Sequence, residues 1–338
     1  MKFPGTHILS IEQFERVDIE RIFAVADRMR PYAHRDKITR VLEGAILGNM
    51  FFEPSTRTRV SFGCAFNLLG GEVRETTGIQ NSALAKGESL YDTARVLSGY
   101  SDVIAMRHPQ EGSVAEFASA SRVPVINGGD GANEHPSQAL LDLYTIKKEL
   151  QHRGRNDMDG LRIALIGDLR YGRTVHSLCK LLSLYRNVTV ALVSPPELKM
   201  PAAIVAQLRE GGHTVVESDT MEDSLAQVDI AYSTRIQEER FASLEEAALY
   251  RGRYRLNQAI YTRFCDPNTV IMHPLPRDSR AEAQELADDL NDNPNLAIFR
   301  QTDNGVLVRM ALFALILDVV DQVDKHARPV NWYTERRF

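Results

Sequence analysis

The nine residues Phe51-Phe52-Glu53-Pro54-Ser55-Thr56-Arg57-Thr58-Arg59 constrain this chain more than any other stretch. An apolar, strand-like run from Ala45 to Phe52 stops at Glu53-Pro54. A helical pattern follows, with Val60, Ala65, Leu68 and Leu69 at helical spacing. Ser55 is a fitting N-cap. A helix start leaves unpaired N–H donors and the positive end of a dipole. Ser55, Thr56 and Thr58 add hydroxyls at that end, and Arg57 and Arg59 add two guanidiniums. A capped helix with surface arginines explains a lone Ser-Thr pair well. It explains this density of hydroxyls and guanidiniums less well than an anion socket does, most simply one for phosphate.

A strand that turns directly into a helix is the repeating unit of α/β folds, and the rest of the chain repeats it. Candidate strands are Ala45–Phe52, Glu72–Thr76, Val103–Met106 and Pro124–Asn127, then Arg162–Ile166, Val188–Val193, Thr214–Glu217, Asp229–Tyr232 and Val270–Met272. Helical patterns lie between most of them. This alternation predicts an α/β fold with two doubly wound parallel-sheet domains. Pro136 to Leu150 reads as one bridging helix, with Leu140, Leu141, Leu143 and Ile146 on its apolar face. The polar stretch Gln151 to Asp159 is the expected boundary. The expected domains are 1–150 and 151–302, with 303–338 as a final segment whose apolar helix covers Gly305 to Val320. Residues 238–264 read as a mobile, partly helical loop.

Composition narrows the function. The chain has 338 residues, a length for two domains. Hydrophobic residues make up 43% and charged residues 25%, the balance of a soluble globular protein. With 40 basic and 45 acidic residues the net charge is −5, which gives no electrostatic case for nucleic acid. Anion binding is therefore local. No apolar run spans a bilayer, and Met1 to Ser10 carries no signal core, so no membrane role is expected. Cys64, Cys179 and Cys265 lack metal-ligand spacing and sit in or beside apolar segments. They read as buried free thiols in a reducing cytoplasm.

Open α/β sheets bind ligands beyond the carboxyl ends of their strands. Each remaining polar cluster follows a strand candidate closely. Arg107 follows the third, although a solvated arginine there is common. Gly128 to Gly131 leads to His135-Pro136-Ser137-Gln138, where Pro136 suits a first helical position and His135 alone reads as a turn histidine. Ser82 and Lys86 lie in a polar loop, where a lysine is usually solvated. Gly167 to Thr174 resembles a nucleotide-binding turn but lacks G-x-G-x-x-G, and it offers Arg173 at a helix start, suited to a carboxylate. Arg235 and Gln237 are two apart and can face one side of an extended chain. Alone, they also read as an exposed polar loop. His273-Pro274-Leu275-Pro276 is a rigid loop able to present backbone carbonyls.

Ser55-Thr56-Arg57-Thr58-Arg59 resembles the carbamoyl-phosphate motif of the aspartate and ornithine transcarbamoylase family, and the resemblance runs from about Phe51 to Leu317. It implies that carbamoyl phosphate meets Ser55, Thr56, Arg57, Thr58, Ser82, Lys86, Arg107, His135, Gln138 and the carbonyls of Leu275 and Pro276. Lys86, Arg173, Arg235 and Gln237 would hold the acceptor, L-aspartate. It further implies that the last helix returns to the first domain. Ser82 and Lys86 would come from a neighbouring chain of a homotrimer, with no metal or cofactor. Regulatory subunits or a higher assembly stay open.

The resemblance implies carbamoyl transfer to the aspartate amine, a step of pyrimidine biosynthesis, with Arg57, Thr58, Arg107 and His135 as the catalytic groups. The rivals are a transcarbamoylase for another amine, such as ornithine, and an inactive anion-binding scaffold. Ornithine's side-chain cation calls for an acidic or neutral pocket, whereas this chain offers Arg235. The ornithine enzymes also carry Cys where Pro274 stands. A scaffold should have lost part of the constellation, and all of it is present. An NAD-linked enzyme lacks its glycine fingerprint. One departure is Gly63, where the family usually has glutamate, which removes a candidate ion pair and weakens the helix. The other is the tail His326 to Phe338, expected to pack on its own subunit.

Overall fold

A computed structural model describes residues 1–78 and 83–332. The chain divides into two compact units, Met1–Ser137 with Asn304–Phe338, and Gln138–Asp303. The division falls inside the helix Pro136–His152, ahead of the polar stretch 151–159.

In the first unit, β1 (Lys37–Ile38) stands apart from the sheet of β2 (Ile46–Phe51), β3 (Glu72–Thr77), β4 (Val103–His108) and β5 (Val125–Asp130). That sheet has the order β3-β2-β4-β5, and all its pairs are parallel. In the second unit, β6 (Arg162–Gly167), β7 (Thr189–Val193), β8 (Thr214–Ser218), β9 (Ile230–Thr234) and β10 (Val270–Met272) form a parallel sheet of order β10-β9-β6-β7-β8. All nine expected strands are present. Central strands are buried along nearly their whole length, as parallel sheets covered by helices on both faces require. The edge strands β3 and β8 are partly exposed, and β3 carries Glu72, Arg74 and Glu75, charges that discourage edge-to-edge pairing.

Each sheet reverses its winding once. The first strand of the four-stranded sheet, β2, lies between β3 and β4, and the first of the five-stranded sheet, β6, lies between β7 and β9. The crevices at β2/β4 and β6/β9 are the topological switch points, where open α/β sheets hold ligands.

The last long helix is Ile298–Ile316, starting seven residues before the expected Gly305 and ending before Val320. The polar run Gln301-Thr302-Asp303-Asn304 hides its start in the sequence. Its later part belongs to the first unit. There Phe313 meets Phe66 and Phe62 edge-on, at 5.0 and 6.0 Å between ring centroids. Arg309 lies over the Phe62 ring and donates to Ser61 Oγ at 2.9 Å. Beyond the helix, Asp324 accepts from the Tyr32 hydroxyl at 2.7 Å and from Arg28 at 2.9 Å. β11 (Arg328–Pro329) then pairs antiparallel with β1. The described part of the tail thus packs on its own unit. Tyr333 and Phe338 lie outside the described residues.

One expectation needs correction. Only Cys179 is buried, while Cys64 and Cys265 are partly exposed, so adjacency to an apolar segment does not by itself bury a thiol. The helix after the Lys86 segment spans Leu90–Leu97 and is capped by Ser89, whose hydroxyl accepts from the Asp92 N–H at 3.0 Å. Residues 238–264 are partly helical, with Leu244–Ala248 and Gln258–Phe264. Among the described residues, no helix is long and apolar enough to cross a membrane.

The loss at Gly63 is offset from a different element. Arg59 pairs with Glu75 of β3, and Asn49 donates to the same carboxylate at 2.8 Å. A Cβ at Gly63 would meet Glu75, Val73 and Asn49 at 3.7–3.8 Å, ordinary van der Waals contact. Gly63→Ala is therefore expected to raise stability by about 0.5–1 kcal/mol through helix propensity. A thermal melt checks it, and a lowered Tm contradicts the fit.

Candidate active site

The cluster of the first unit sits at the β2/β4 switch point. Phe51 pairs in register with Arg107, and the Phe52 N–H donates to the Arg107 carbonyl at 2.9 Å. The two strand ends are thereby locked side by side. Ser55 occupies the N-cap position of the helix Thr56–Leu68 with extended dihedrals, as expected, but its hydroxyl does not cap the helix. It faces Arg107 instead, whose Nη1 lies 3.5 Å away. Arg107 also donates through Nε to Glu53 at 2.8 Å, and both side chains are mostly buried. Arg57 is exposed on the first helical turn with Thr56, and Thr58 is partly exposed. Hydroxyls, guanidiniums and helix-end N–H groups thus gather beyond β2.

β5 delivers the next groups. The turn after it closes through Asp130 N–H to the Glu134 carbonyl at 3.1 Å. The Glu134 carboxylate accepts from the Ile11 N–H at 2.7 Å, which pins the turn to the N-terminal segment. His135 follows, buried, immediately before Pro136 opens its helix. Ser137 Oγ lies 3.4 Å from His135 Nδ1. A hydroxyl donating there leaves the ring proton on Nε2, the donor that a carbonyl oxygen needs. Lys86 ends the short 3-10 turn Ala83–Lys86 and is exposed. Ser82 lies outside the described residues.

The cluster of the second unit sits at the β6/β9 switch point. Gly167 ends β6 at φ +116°, and a Cβ there would collide with the Thr234 carbonyl oxygen. Only glycine lets β6 and β9 approach this closely. Asp168, fully buried, then joins the two loops: Oδ1 accepts from the Tyr171 N–H and Oδ2 from the Gln237 N–H, each at 3.0 Å. Burial pushes its carboxyl up, and these backbone bonds oppose the shift. Arg173 starts the helix Arg173–Leu182, and Arg235 follows β9.

Residues 235–237 follow β9 as irregular chain ahead of the 3-10 turn Glu238–Arg240. There Arg235 Nη1 donates to the Ile236 carbonyl at 3.0 Å, and Gln237 Nε2 lies 3.4 Å from the Arg235 carbonyl. The Arg235 guanidinium forks onto both oxygens of Glu239, with Nη1 to Oε2 at 3.0 Å. Burial disfavours the Arg235 charge, but Glu239 outweighs it and holds the guanidinium firmly protonated.

β10 leads into the proline loop. Leu275 has φ +57°, a conformation costing a bulky residue on the order of 1–3 kcal/mol, and the Leu275–Pro276 peptide is cis. His273 holds the loop: Nδ1 accepts from the Leu275 N–H at 2.8 Å, and Nε2 lies 2.7 Å from Glu285. Since Nδ1 accepts, Nε2 carries the proton of the neutral ring. Glu285 in turn accepts from the Asp278 N–H. Glu53, Asp168, Glu239 and Glu285 were not singled out from the sequence. Glu53 and Asp168 stand inside motifs that were, whereas nothing local marks Glu285. Among the described residues, no group of His, Cys, Asp and Glu is placed to hold a metal ion.

Residues 6–148 match the family model described as aspartate/ornithine carbamoyltransferase, carbamoyl-P binding domain, and residues 159–316 match its Asp/Orn binding domain. The chain is 78% identical to the aspartate carbamoyltransferase catalytic subunit of Saccharophagus degradans over 338 residues, all of both chains. It is 42% identical to that of Methanosarcina mazei over 321 residues, 95% of this chain and all of the relative. Among solved structures it resembles the Trypanosoma cruzi aspartate transcarbamoylase in complex with carbamoyl phosphate and aspartate, with TM-score 0.85 and 38% identity, covering 93% of this chain and 98% of that one. The M. jannaschii catalytic subunit gives TM-score 0.83 and 42% identity over 94% and 99%.

Burial holds His7, His108, His176 and His273 below the ordinary histidine value of 6.5. Below that pH the unfolded chain takes up protons that the folded protein refuses. Stability is therefore expected to be complete above 6.5 and to fall as pH drops from about 6.5 toward 5. Melts across that range check it. His273→Asn, whose amide oxygen can replace Nδ1 toward Leu275 without titrating, should flatten part of the slope. An unchanged slope contradicts the role of His273.

Proposed function

The chain belongs to the aspartate/ornithine carbamoyltransferase family, and from that premise we propose that it transfers the carbamoyl group of carbamoyl phosphate to the amine of L-aspartate. The products are N-carbamoyl-L-aspartate and phosphate. The acceptor reading rests on one observation: two guanidinium residues, Arg173 and Arg235, follow the two strands that flank one switch point, β6 and β9. Two fixed cations suit an acceptor with two carboxylates, and they oppose one whose side chain is a cation.

Carbamoyl phosphate is a dianion, so the two substrates bring several like charges together. The chemistry needs cations and oriented donors more than a protein nucleophile. Ser55, Thr56, Arg57, Thr58 and the helix N-terminus take the phosphate. His135, Thr58 and Arg107 take the carbonyl oxygen, which becomes an oxyanion when the neutral amine attacks the carbon. Gln138 and the carbonyls of Leu275 and Pro276 take the carbamoyl amino group. Arg57 stabilises phosphate as it leaves, and the phosphate accepts the amine proton. Arg173 takes the α-carboxylate and Arg235 the side-chain carboxylate, with Gln237 beside it. Glu239 keeps the Arg235 fork oriented and charged until substrate joins it.

The same reading makes the working form a cytoplasmic homotrimer in which Ser82 and Lys86 act from a neighbouring chain. Exposed Tyr91, Val96 and Tyr100, close in sequence after Lys86, support a surface made for a second copy.

Steady-state kinetics test the assignments. Arg57→Ala is expected to lower turnover by roughly 100- to 1000-fold with folding retained, the scale for losing one oxyanion or leaving-group donor. Near-normal turnover contradicts the phosphate assignment. Arg235→Ala is expected to raise the KM for aspartate far more than that for carbamoyl phosphate. Equal effects on both contradict its role.

A further inference from the structure

Asp142 lies one helical turn beyond Gln138 on the helix Pro136–His152 and is fully buried. Its carboxylate gathers three donors. Oδ1 accepts from Gln138 Nε2 at 2.9 Å and from Gln301 Nε2 at 2.6 Å, and Oδ2 accepts from the Tyr232 hydroxyl at 2.8 Å. The same partners reach the other substrate segments. Gln301 Oε1 accepts from the His273 N–H at 3.1 Å, at the head of the proline loop. Tyr232 stands on β9 three residues before Arg235 and also bonds to Thr174, next to Arg173. Through Gln301 and Tyr232, one carboxylate therefore connects the helix of Gln138 to the proline loop, to β9 ahead of Arg235 and to the helix that Arg173 starts.

The consequence falls on the Gln138 amide. All three of these hydrogen bonds are donated to Asp142, so its carboxyl oxygens are the acceptors in each. Burial and then the Asp142 charge push the Tyr232 hydroxyl far above the usual phenol range, so it stays a donor. Only the Nε2 branch of Gln138 can face Asp142. Turning the amide over would set two oxygens against each other with no proton between them. The Gln138 oxygen is thereby held on the opposite branch. A carbamoyl amino group, a donor, needs an acceptor there, and a flipped amide would offer it another donor.

The geometry points to Asp142 as a positioning residue that fixes the Gln138 amide so that its oxygen, and not its amino group, meets the carbamoyl nitrogen. The inference rests on the proposed role of Gln138. Acetyl phosphate isolates it, because a methyl replaces the carbamoyl amino group while the phosphate and carbonyl remain.

The test is the affinity of the full-length protein for carbamoyl phosphate and for acetyl phosphate, in wild type and variants. Asp142→Asn presents an amide whose NH2 can face Gln138 and let it flip. It is expected to weaken carbamoyl phosphate by roughly 10- to 100-fold, the scale for a mismatched polar pair, and acetyl phosphate by no more than about 2-fold. Equal weakening of both, the signature of a merely structural role, overturns the proposal, as does no change in either. Gln138→Ala is expected to show the same selectivity. If Gln138→Ala weakens both ligands alike or neither, the Gln138 assignment itself fails, and the inference fails with it. If Gln138→Ala is selective and Asp142→Asn is not, only the role of Asp142 fails. Tyr232→Phe loosens one carboxylate oxygen and serves where Asp142→Asn does not fold. It is expected to give a selective loss of about 3-fold. Equal weakening or none overturns the proposal.

Discussion

Parallel strands buried on both faces can place irregular, polar backbone only beyond their ends, and this constraint organises the whole protein. Both sheets point their strand carboxyl ends to one edge each, and both reverse winding once. At β2/β4 the register fixes Arg107 beside the turn that carries Glu53 to Arg59. At β6/β9 the bare backbone of Gly167 allows a close approach, and Asp168 ties the Arg173 turn to the Arg235 loop. The cations of each cluster are therefore set by sheet geometry before any ligand arrives, as electrostatic preorganisation requires.

Fixing cations beside one another is costly unless carboxylates share the load. Each cluster supplies them: Glu53 at Arg107, Glu75 at Arg59 and Glu239 at Arg235. These acids neutralise the guanidiniums in the absence of anionic substrate and hold their planes in place. The uncharged parts are fixed by buried groups of a different kind. His273 holds a loop whose Leu275 carries a positive φ, and Asp142 collects donors from three elements.

Much of this was legible in the sequence, and the reason is local. Short apolar runs ended by polar turns gave all nine sheet strands, and Ser55 reads as an N-cap because extended backbone meets a helical pattern there. The ends of β4 and β5 were placed short because His108 and Gly128 to Asp130 look like turns, although they continue the ladder. The two-residue strands β1 and β11 left no periodic signal at all. Pairings across long separations were illegible. Nothing near Glu53 announces Arg107, 54 residues away, and nothing near Asp142 announces Gln301, 159 residues away. Ser55 shows the same limit at short range, since its position was right while its hydroxyl turned to Arg107 in preference to the helix.

The choice of acceptor is the sharpest consequence of two guanidiniums at one switch point. Phosphate release from carbamoyl phosphate, measured with L-aspartate and then with L-ornithine, reads that choice directly. The arrangement of Arg173 and Arg235 predicts release that requires aspartate and matches N-carbamoyl-L-aspartate formed. Release with ornithine but not with aspartate contradicts it, and would leave only the Ser55 to Arg59 socket standing.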